Sequence, residues 1–272
     1  PKDAAFWQFL YLIFAKMHDE KKNNGNRKFF AGPQEQFNEE GRKNIRIRIE
    51  QLFNAVKKEY LSIFKGNEEI SLSDRALSFM VTELAKYDFT RSSVDAKGKA
   101  YQEIVGTNLR GDRGQYFTPR GAIQLMVEFL DPKPNEKVLD PACGTGGFLV
   151  TTIAHQLNRF KEEIGNKSPE ETAEGVRPKL SKYVEKQLYG SDFDQFLVRA
   201  SHMNIMMAAG GDGNVFHMDS LAFPNSHLEG NVRALKSVKL GTVDVVLTNP
   251  PFGSDIPITD RTVLGQFELA HK

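Results

Sequence analysis

Hydrophobic positions recur at helical spacing through most of the first ninety residues. In residues 6–17 apolar side chains return every three or four positions, which predicts a helix packed by one aromatic face. Residues 42–64 repeat this period, and Ser71 or Ser73 can cap a third helix. We therefore predict an all-helical N-terminal domain over residues 1–95.

After residue 96 the pattern changes to short apolar runs separated by longer helical segments. The runs span 137–140, 187–193, 214–218 and 243–248. Such alternation indicates parallel strands joined by helices, so we predict a doubly wound α/β sheet over residues 96–272. The charged stretch 161–186 is expected to be a turn-rich surface excursion, and the last two strands are expected to follow one another without a helix.

Composition excludes several classes of protein. With 272 residues and 40% hydrophobic residues, the chain can bury a sizeable core. It has no apolar run of about 18 residues, so we expect no membrane association and a cytoplasmic location. A single cysteine excludes an internal disulfide framework, and the six histidines lack metal-ligand spacing, so no metal site is predicted.

The net charge of +1 bears on nucleic-acid binding. If DNA is the substrate, local basic patches or a partner must supply many of the phosphate contacts. The helix predicted at residues 42–64 is rich in lysine and arginine and could meet phosphates. A solvated helix face is the commoner use of such charges, and we favour it here.

The last apolar run stops at the tetrapeptide Asn249-Pro250-Pro251-Phe252. Prolines lack N–H groups, so this turn offers carbonyl acceptors and almost no donors. With the side-chain oxygen of Asn249 added, it can hold both hydrogens of a flat amine or amide group, and Phe252 can stack on the plane that carries the group. The same residues also suit a plain strand-ending turn, so both interpretations stay open.

A second motif, Asp-Pro-Ala-Cys-Gly-Thr-Gly-Gly-Phe, occupies residues 140–148. A strand ends at Asp140, small residues allow a tight turn, and a helical pattern follows. The glycines let the backbone approach a ligand closely, beside a helix N-terminus. The spacing matches neither the dinucleotide fingerprint nor a phosphate-binding P-loop. The Asp140 carboxylate can take a ligand ammonium or anchor the loop.

Two further segments carry candidate binding groups. Residues 115–120 read Gln-Tyr-Phe-Thr-Pro-Arg, where Thr118 is predicted to be an N-cap and Pro119 the first helical residue. The start of that helix can seat a carboxylate on free N–H groups. Asp192 ends the second strand, where an acid can accept from both hydroxyls of a ribose. Asp194 suits the N-cap of the next helix better than Asp192 does.

In this order the motifs resemble those of the S-adenosylmethionine-dependent N6-adenine DNA methyltransferases, and more narrowly the modification subunits of type I restriction-modification systems. They are the segments 114–120, 140–148, 190–194 and 249–253. The likeness covers nearly the whole chain and implies a Rossmann-like methyltransferase sheet preceded by a helical domain. It also implies a prokaryotic source, S-adenosylmethionine as cofactor, and transfer of its methyl group to a flipped-out adenine of double-stranded DNA. The implied partners are a specificity (S) subunit and a restriction (R) subunit.

The resemblance implies a role for each motif residue. The cofactor would be bound by Gln115, Tyr116, Phe117, Thr118, Pro119, Arg120, Asp140, Gly144, Thr145, Gly146, Gly147, Asp192 and Asp219. In that set, Asp140 belongs to the loop around the methionine part, Asp192 would bind the ribose in place of the usual Glu, and Asp219 would lie near the adenine. Catalysis at the target base would rest on Asn249, Pro250, Pro251 and Phe252.

Other functions were weighed against this one. A cytosine C5 methyltransferase needs a nucleophilic cysteine, usually after proline, whereas Cys143 follows Ala142 in the glycine loop. The serious enzymatic alternative is a protein-glutamine N-methyltransferase, because its Asn-Pro-Pro-aromatic site faces an amide of the same donor geometry. Segment 115–120 and the helical domain favour DNA. The chain could also be a non-catalytic DNA-docking or assembly module.

The ends of the sequence add one expectation. It begins at Pro1 without methionine, and about twenty residues follow Gly253. We therefore expect a methyltransferase sheet that is incomplete at its C-terminal side, with weak or absent catalysis by this chain alone.

Overall fold

The computed structural model describes residues 2–23, 25–61, 63–89, 118–165, 168–211, 213–251 and 258–268. The chain divides into two compact units, Pro1–Gln115 and Tyr116–Lys272. The domain boundary predicted after residue 95 lies outside the described residues and stays a prediction. In the part of the chain so described, no helix is long and apolar enough to cross a membrane.

The first unit is helical in its described part, which confirms the prediction of an all-helical N-terminal region. Its helices are α1 (Lys2–Lys22), α2 (Glu39–Glu59) and α3 (Asp74–Ala85), with a 3-10 turn at Glu35–Phe37. Ser73 caps α3 by accepting a hydrogen bond from the Ala76 amide at 3.3 Å. The prediction that α1 packs by one face was wrong: five successive residues, Tyr11 to Ala15, are all buried, because both α2 and α3 pack against this helix.

The two central arginines of α2 are paired inside the first unit. Arg46 bonds to Asp74 and, at 3.0 Å, to Glu50. Arg48 lies 2.7 Å from Glu35. These charges are balanced by neighbouring carboxylates, so they stabilise the helical unit and are not a ready phosphate-binding patch. This pairing agrees with the favoured interpretation of the basic helix as an ordinary helix face.

The second unit contains a parallel sheet. Its described strands are β1 (Val138–Asp140), β2 (Leu188–Asp192), β3 (Asn214–His217) and β4 (Val245–Val246), in the spatial order β3-β2-β1-β4. The helices are α4 (Arg120–Leu130), α5 (Gly147–Ile164), α6 (Pro169–Gln187), α7 (Gln195–Ala209), α8 (Gly230–Ser237) and α9 (Arg261–Leu264). The predicted doubly wound α/β fold is confirmed.

The register of the sheet brings its functional ends together. On β1, Leu139 pairs with Tyr189 of β2 on one side and with Val246 of β4 on the other. The strand order therefore reverses at β1, and in open α/β sheets ligands bind at the carboxyl ends of the strands beside such a reversal. Asp140 is the last residue of β1 and lies level with Gly190.

The sequence patterns missed α6, α8 and the short α9. The stretch 161–186 is mostly helical, since α5 runs to Ile164 and α6 starts at Pro169 behind a capping box formed by Ser168 and Glu171. Its many charges hid the buried positions that face the core. The predicted direct step from the third to the fourth strand was also wrong, because α8 lies between them.

The helix α8 is needed to close the core over β2 and β3. Ala234 of α8 and Val238, the residue that follows the helix, pack with Tyr189, Phe216 and Met218 in one buried cluster. With only eight residues and one buried apolar side chain, α8 gives too short a pattern to be recognised by periodicity.

Candidate functional site

The carboxyl ends of the strands gather the predicted acidic and amide residues at one edge of the sheet. Asp140 and Asp192 are the last residues of β1 and β2. Asp219 follows β3 by two residues, and Asn249 follows β4 by three. Because all four strands are parallel, these residues share one edge.

Asp192 holds the glycine loop with its carboxylate. Its Oδ2 accepts a hydrogen bond from the Gly144 amide at 2.9 Å, and its Oδ1 accepts one from the Asp194 amide at 2.9 Å. Burial raises the pKa of Asp192, whereas these backbone hydrogen bonds lower it. Asp194 itself caps α7 by accepting a hydrogen bond from the Phe196 amide at 2.7 Å. The prediction that Asp194, rather than Asp192, is the N-cap of this helix is therefore confirmed.

The Asp140 carboxyl is almost fully buried, with 1% of the residue exposed. Its Oδ1 accepts a hydrogen bond from the Ala142 amide at 3.2 Å, so the carboxyl anchors the loop that follows β1. Burial raises the pKa of Asp140 to about 7, against the lowering effects of Ala142 and the nearby Thr248 hydroxyl, while the Asp192 charge raises it further. The carboxyl therefore gains or loses its proton near neutral pH.

Two serines that the sequence analysis overlooked tie the loop to the neighbouring strands. Ser220 donates to the Pro141 carbonyl at 2.6 Å, and the Ser191 and Ser220 hydroxyls are 2.8 Å apart. The Cys143 amide donates to the Ser191 carbonyl at 2.9 Å. Each serine stands next to a predicted acid at a strand end, and that position was the only sequence signal for it.

The two positive-φ glycines of the loop have different surroundings. Gly146 has φ +83°, and a Cβ there would lie 2.6 Å from the Ser201 hydroxyl of α7. Gly144 has φ +53°, and a Cβ there would meet nothing within 4 Å. Gly146 is therefore required by packing, whereas Gly144 faces open space beside the N-terminus of α5. Between them, the Thr145 carbonyl accepts from Asn204 at 3.0 Å, another contact the sequence analysis missed.

Thr118 does not cap the helix that follows it. The N-cap position of α4 is Pro119, with no side-chain capping bond, and the helix begins at Arg120. Thr118 stands one residue too early to cap, and its Oγ1 instead accepts a hydrogen bond from Asn249 Nδ2 at 2.9 Å. The predicted cap was therefore wrong. The contact joins two motifs that are 131 residues apart in the sequence.

The other end of α4 is fixed by Asp131, whose backbone adopts φ 44°. Its carboxylate binds Lys133, His155 Nε2 at 2.9 Å, and Arg159. The hydrogen bonds from Lys133 and His155 hold the pKa of Asp131 well below its usual range. Since His155 and Arg159 belong to α5, this cluster ties α4 to α5 and so holds Thr118 in place at the far end of α4.

Other predicted site residues fall into three groups. Pro119, Arg120, Pro250 and Pro251 are exposed, so a ligand can reach both segments from solvent. Gln115, Tyr116, Phe117 and Phe252 lie outside the described residues, and their roles stay predictions. Asp219 Oδ1 accepts a hydrogen bond from the Leu221 amide at 3.0 Å, which stabilises the turn after β3.

These groups fit S-adenosylmethionine chemically. A buried carboxyl, Asp140, can balance an ammonium group, and the space at Gly144 admits a ligand beside a helix N-terminus. A second helix start, at α4, offers amide N–H groups to a carboxylate next to the Thr118 hydroxyl. In the described part of the chain, no group of three or more His, Cys, Asp or Glu residues could hold a metal ion.

A doubly wound parallel sheet with an acid-and-glycine loop after β1 places the chain among the Rossmann-like folds, the class to which S-adenosylmethionine-dependent methyltransferases belong. Within that class, the N-6 DNA methylase family model matches residues 92–268. The match covers well over half of the sequence, and the chain belongs to this family.

Known relatives narrow the comparison. The chain is 28% identical over 177 residues to the methylase subunit of the type I restriction enzyme EcoEI from Escherichia coli, covering 64% of this chain and 31% of that protein. It is 27% identical over 208 residues to the StySPI methylase subunit from Salmonella potsdam, covering 73% and 36%. A crystal structure of a modification subunit of a putative type I restriction enzyme from Vibrio vulnificus YJ016 matches with 28% identity and a TM-score of 0.54, covering 76% and 38%.

These matches confirm the resemblance to type I modification subunits that the motifs indicated. The chain spans about a third of the length of the two curated relatives.

Proposed function

We propose that this chain carries the cofactor site and part of the base site of a DNA methyltransferase that transfers a methyl group from S-adenosylmethionine to N6 of an adenine. The observation that carries the proposal is the 2.9 Å hydrogen bond between Asn249 and Thr118. It brings Asn249 next to Thr118, just before the start of α4, where the cofactor carboxylate is expected. This contact supports the proposal that the two motifs serve one reaction.

In this proposal the cofactor lies along the carboxyl edge of the sheet. Asp140 balances its ammonium group, Asp192 meets the ribose, and Asp219 lies by the adenine. Although Asp192 already accepts two backbone hydrogen bonds, each carboxylate oxygen has a second lone pair for a ribose hydroxyl. When bound, S-adenosylmethionine supplies a methyl group on a sulfonium centre. Gly144 leaves room for the ligand on the loop.

The target amine needs acceptors because its nitrogen lone pair is delocalised into the adenine ring. Asn249 Oδ1 and the Pro250 carbonyl accept its two hydrogens, which draws the lone pair out of conjugation and toward the methyl group. The chain's residues then act mainly by holding the reacting atoms in line, in an electrostatic environment that is set beforehand. Phe252 stacks on the base.

Double-stranded DNA is the proposed substrate, so the adenine must leave the helix, at a cost of roughly a few kcal/mol. Arg46 and Arg48 of α2 are paired with carboxylates, and the net charge is only +1. We therefore assign most of the phosphate contacts and the choice of sequence to partners. By analogy with the relatives, these are the specificity and restriction subunits of a type I system.

Methylation of a protein glutamine is the second candidate, because its amide offers the same two hydrogens to Asn249 and Pro250. The family match to N-6 DNA methylases favours DNA. A non-catalytic docking role is the third candidate. The site at the carboxyl ends of the strands argues against a docking role. A docking module has no need for a buried acid and a tethered glycine loop beside an amine-binding turn.

The experiment offers both substrates to the full-length protein co-purified with its specificity subunit. Methyl-labelled S-adenosylmethionine is incubated with unmethylated duplex DNA or with glutamine-containing peptides, and the products are identified by mass spectrometry. We expect N6-methyladenine in DNA, lost in Asn249→Ala and retained in Asn54→Ala, an exposed asparagine of α2 in the first unit. Methylated glutamine would support the second candidate. Cofactor binding without any transfer would support the docking role.

A further inference from the structure

Thr118 holds the amide of Asn249 in one of its two orientations. The hydroxyl oxygen of Thr118 accepts from Nδ2 at 2.9 Å, and so Oδ1 is directed away from Thr118. A side-chain amide has one donor end and one acceptor end, and the proposed reaction uses only the acceptor end. If the amide were reversed, it would present hydrogens to an amine that also carries hydrogens.

A threonine hydroxyl can serve two partners at once. It accepts through its lone pairs and donates through its single hydrogen. While the Thr118 oxygen accepts a hydrogen bond from the Asn249 amide, the hydroxyl can donate its own hydrogen to a second partner. Thr118 lies immediately before the N-cap of α4, where free amide groups favour a carboxylate. The cofactor's carboxylate is the acceptor expected there.

We propose that Thr118 is a positioning residue that couples cofactor binding to the orientation of Asn249. The proposal rests on the proposed function, because it requires a cofactor carboxylate at α4 and a target amine at Asn249. Once the carboxylate accepts a hydrogen bond from the Thr118 hydroxyl, that hydroxyl can bond to Asn249 only as an acceptor. The amide is then fixed with Oδ1 toward the target.

The chain of hydrogen bonds also strengthens the acceptor. Donation from Thr118 to a charged carboxylate makes its oxygen a better acceptor, which polarises the Asn249 amide and raises the negative charge on Oδ1. The cofactor thereby improves binding of the target amine, and the amine improves binding of the cofactor by the same factor. Both residues are partly exposed, so each can reach a ligand.

The first test follows the side-chain amide of Asn249 by NMR in the whole chain, with its signal assigned from its loss in Asn249→Ala. S-adenosylhomocysteine carries the carboxylate, whereas 5′-methylthioadenosine lacks it, and calorimetry shows that each ligand is bound. We expect S-adenosylhomocysteine to shift the Asn249 Nδ2 signal, and methylthioadenosine to leave it unmoved. The shift should persist in Thr118→Ser and vanish in the isosteric Thr118→Val.

The second test measures kcat and KM in the DNA-methylating complex at saturating cofactor. Thr118→Val should lower kcat by about tenfold, and Thr118→Ser should restore it to within about threefold of wild type, as expected for one hydrogen bond. A role in folding alone would not separate the two variants in this way.

The contrary results are distinct. An Asn249 signal that moves equally with both ligands, or equally in Thr118→Val, would overturn the coupling while leaving the methyltransferase site intact. An unchanged kcat in Thr118→Val would do the same. If the folded chain bound neither ligand, the cofactor site itself would be wrong, and the proposed function would fail with it.

Discussion

The carboxylate of Asp192, at the end of β2, accepts a hydrogen bond at 2.9 Å from the backbone amide of Gly144, in the loop after β1. The other oxygen accepts from the Asp194 amide, so this acid fixes the glycine loop after β1 and the start of α7 together. The first prediction follows from that double role.

Asp192→Asn should weaken S-adenosylmethionine binding by about tenfold or more and lower the free energy of unfolding by about 1–3 kcal/mol, because an asparagine has one acceptor oxygen for two partly buried amides. Calorimetry and urea unfolding measure the two effects. Asp194→Asn is the matched control: asparagine caps helices as well as aspartate does, so it should change little. Equal effects of the two variants would contradict the assigned role of Asp192.

Asp140 predicts a pH dependence of stability. Its carboxyl ionises near 3.8 when unfolded and near 7 when folded, because burial raises its pKa. Between those values the folded state retains a proton that the unfolded state has lost, so this group's contribution makes the free energy of unfolding fall as pH rises through that window. Above the folded pKa the contribution levels off.

The isosteric Asp140→Asn variant lacks this titration. Urea unfolding at about pH 5 and about pH 8 should show the wild type losing stability relative to the variant by a few kcal/mol. Parallel stability curves for the two proteins would mean that Asp140 ionises normally in the folded chain.

Substituting the two positive-φ glycines should affect stability and cofactor binding to different extents. Gly146→Ala should destabilise the chain by about 1–3 kcal/mol, from φ strain plus a clash with the Ser201 hydroxyl. Ser201→Ala in the same chain should recover part of the loss. Gly144→Ala has open space and should cost only about 1–2 kcal/mol, yet it should weaken cofactor binding more than the loss of stability explains. Cofactor binding unaffected by Gly144→Ala would place the ligand elsewhere.

A buried ion pair predicts a strong effect in the first unit. Lys16 Nζ lies 2.7 Å from Glu20 Oε1, with side chains only 2% and 1% exposed. Lys16→Met should lower the free energy of unfolding by about 3 kcal/mol, because it leaves the buried charge of Glu20 without its nearest cation. This lies at the low end of the usual range, since Arg27 is 3.9 Å from Glu20 and keeps part of the compensation.

Adding Glu20→Gln to Lys16→Met should recover stability, since the stranded charge is then removed. The exposed pair of Lys43 and Glu39 provides the control, and Lys43→Met should change little. A small loss in Lys16→Met would show that the buried pair is not maintained in solution.

Local patterns predicted the features that depend on neighbouring residues. The strand end at Asp140, the caps at Ser73 and Asp194 and the parallel sheet all follow from short stretches of sequence. The contact between Thr118 and Asn249 could not be found this way, because the two residues are 131 positions apart and meet only once the sheet and α4 have packed.

The other failures have physical causes as well. The link from Ser220 to Pro141 spans 79 positions and depends on the sheet register, which periodicity does not encode. The helix α6 was missed because its exposed face is so highly charged that it masks the buried positions. Thr118 was assigned as a cap because its residue type suits one, but Pro119 occupies the N-cap position.

The central claim is that one edge of the sheet forms a cofactor site next to a separate amine site. Calorimetry of S-adenosylmethionine with this chain tests it most directly, comparing wild type with Asp140→Ala and Asn249→Ala. We predict binding by the wild type, loss of binding in Asp140→Ala, and affinity within about threefold of wild type in Asn249→Ala, since the latter changes only one hydrogen bond next to the cofactor. No binding by a folded wild type, or undiminished binding by Asp140→Ala, would contradict the account.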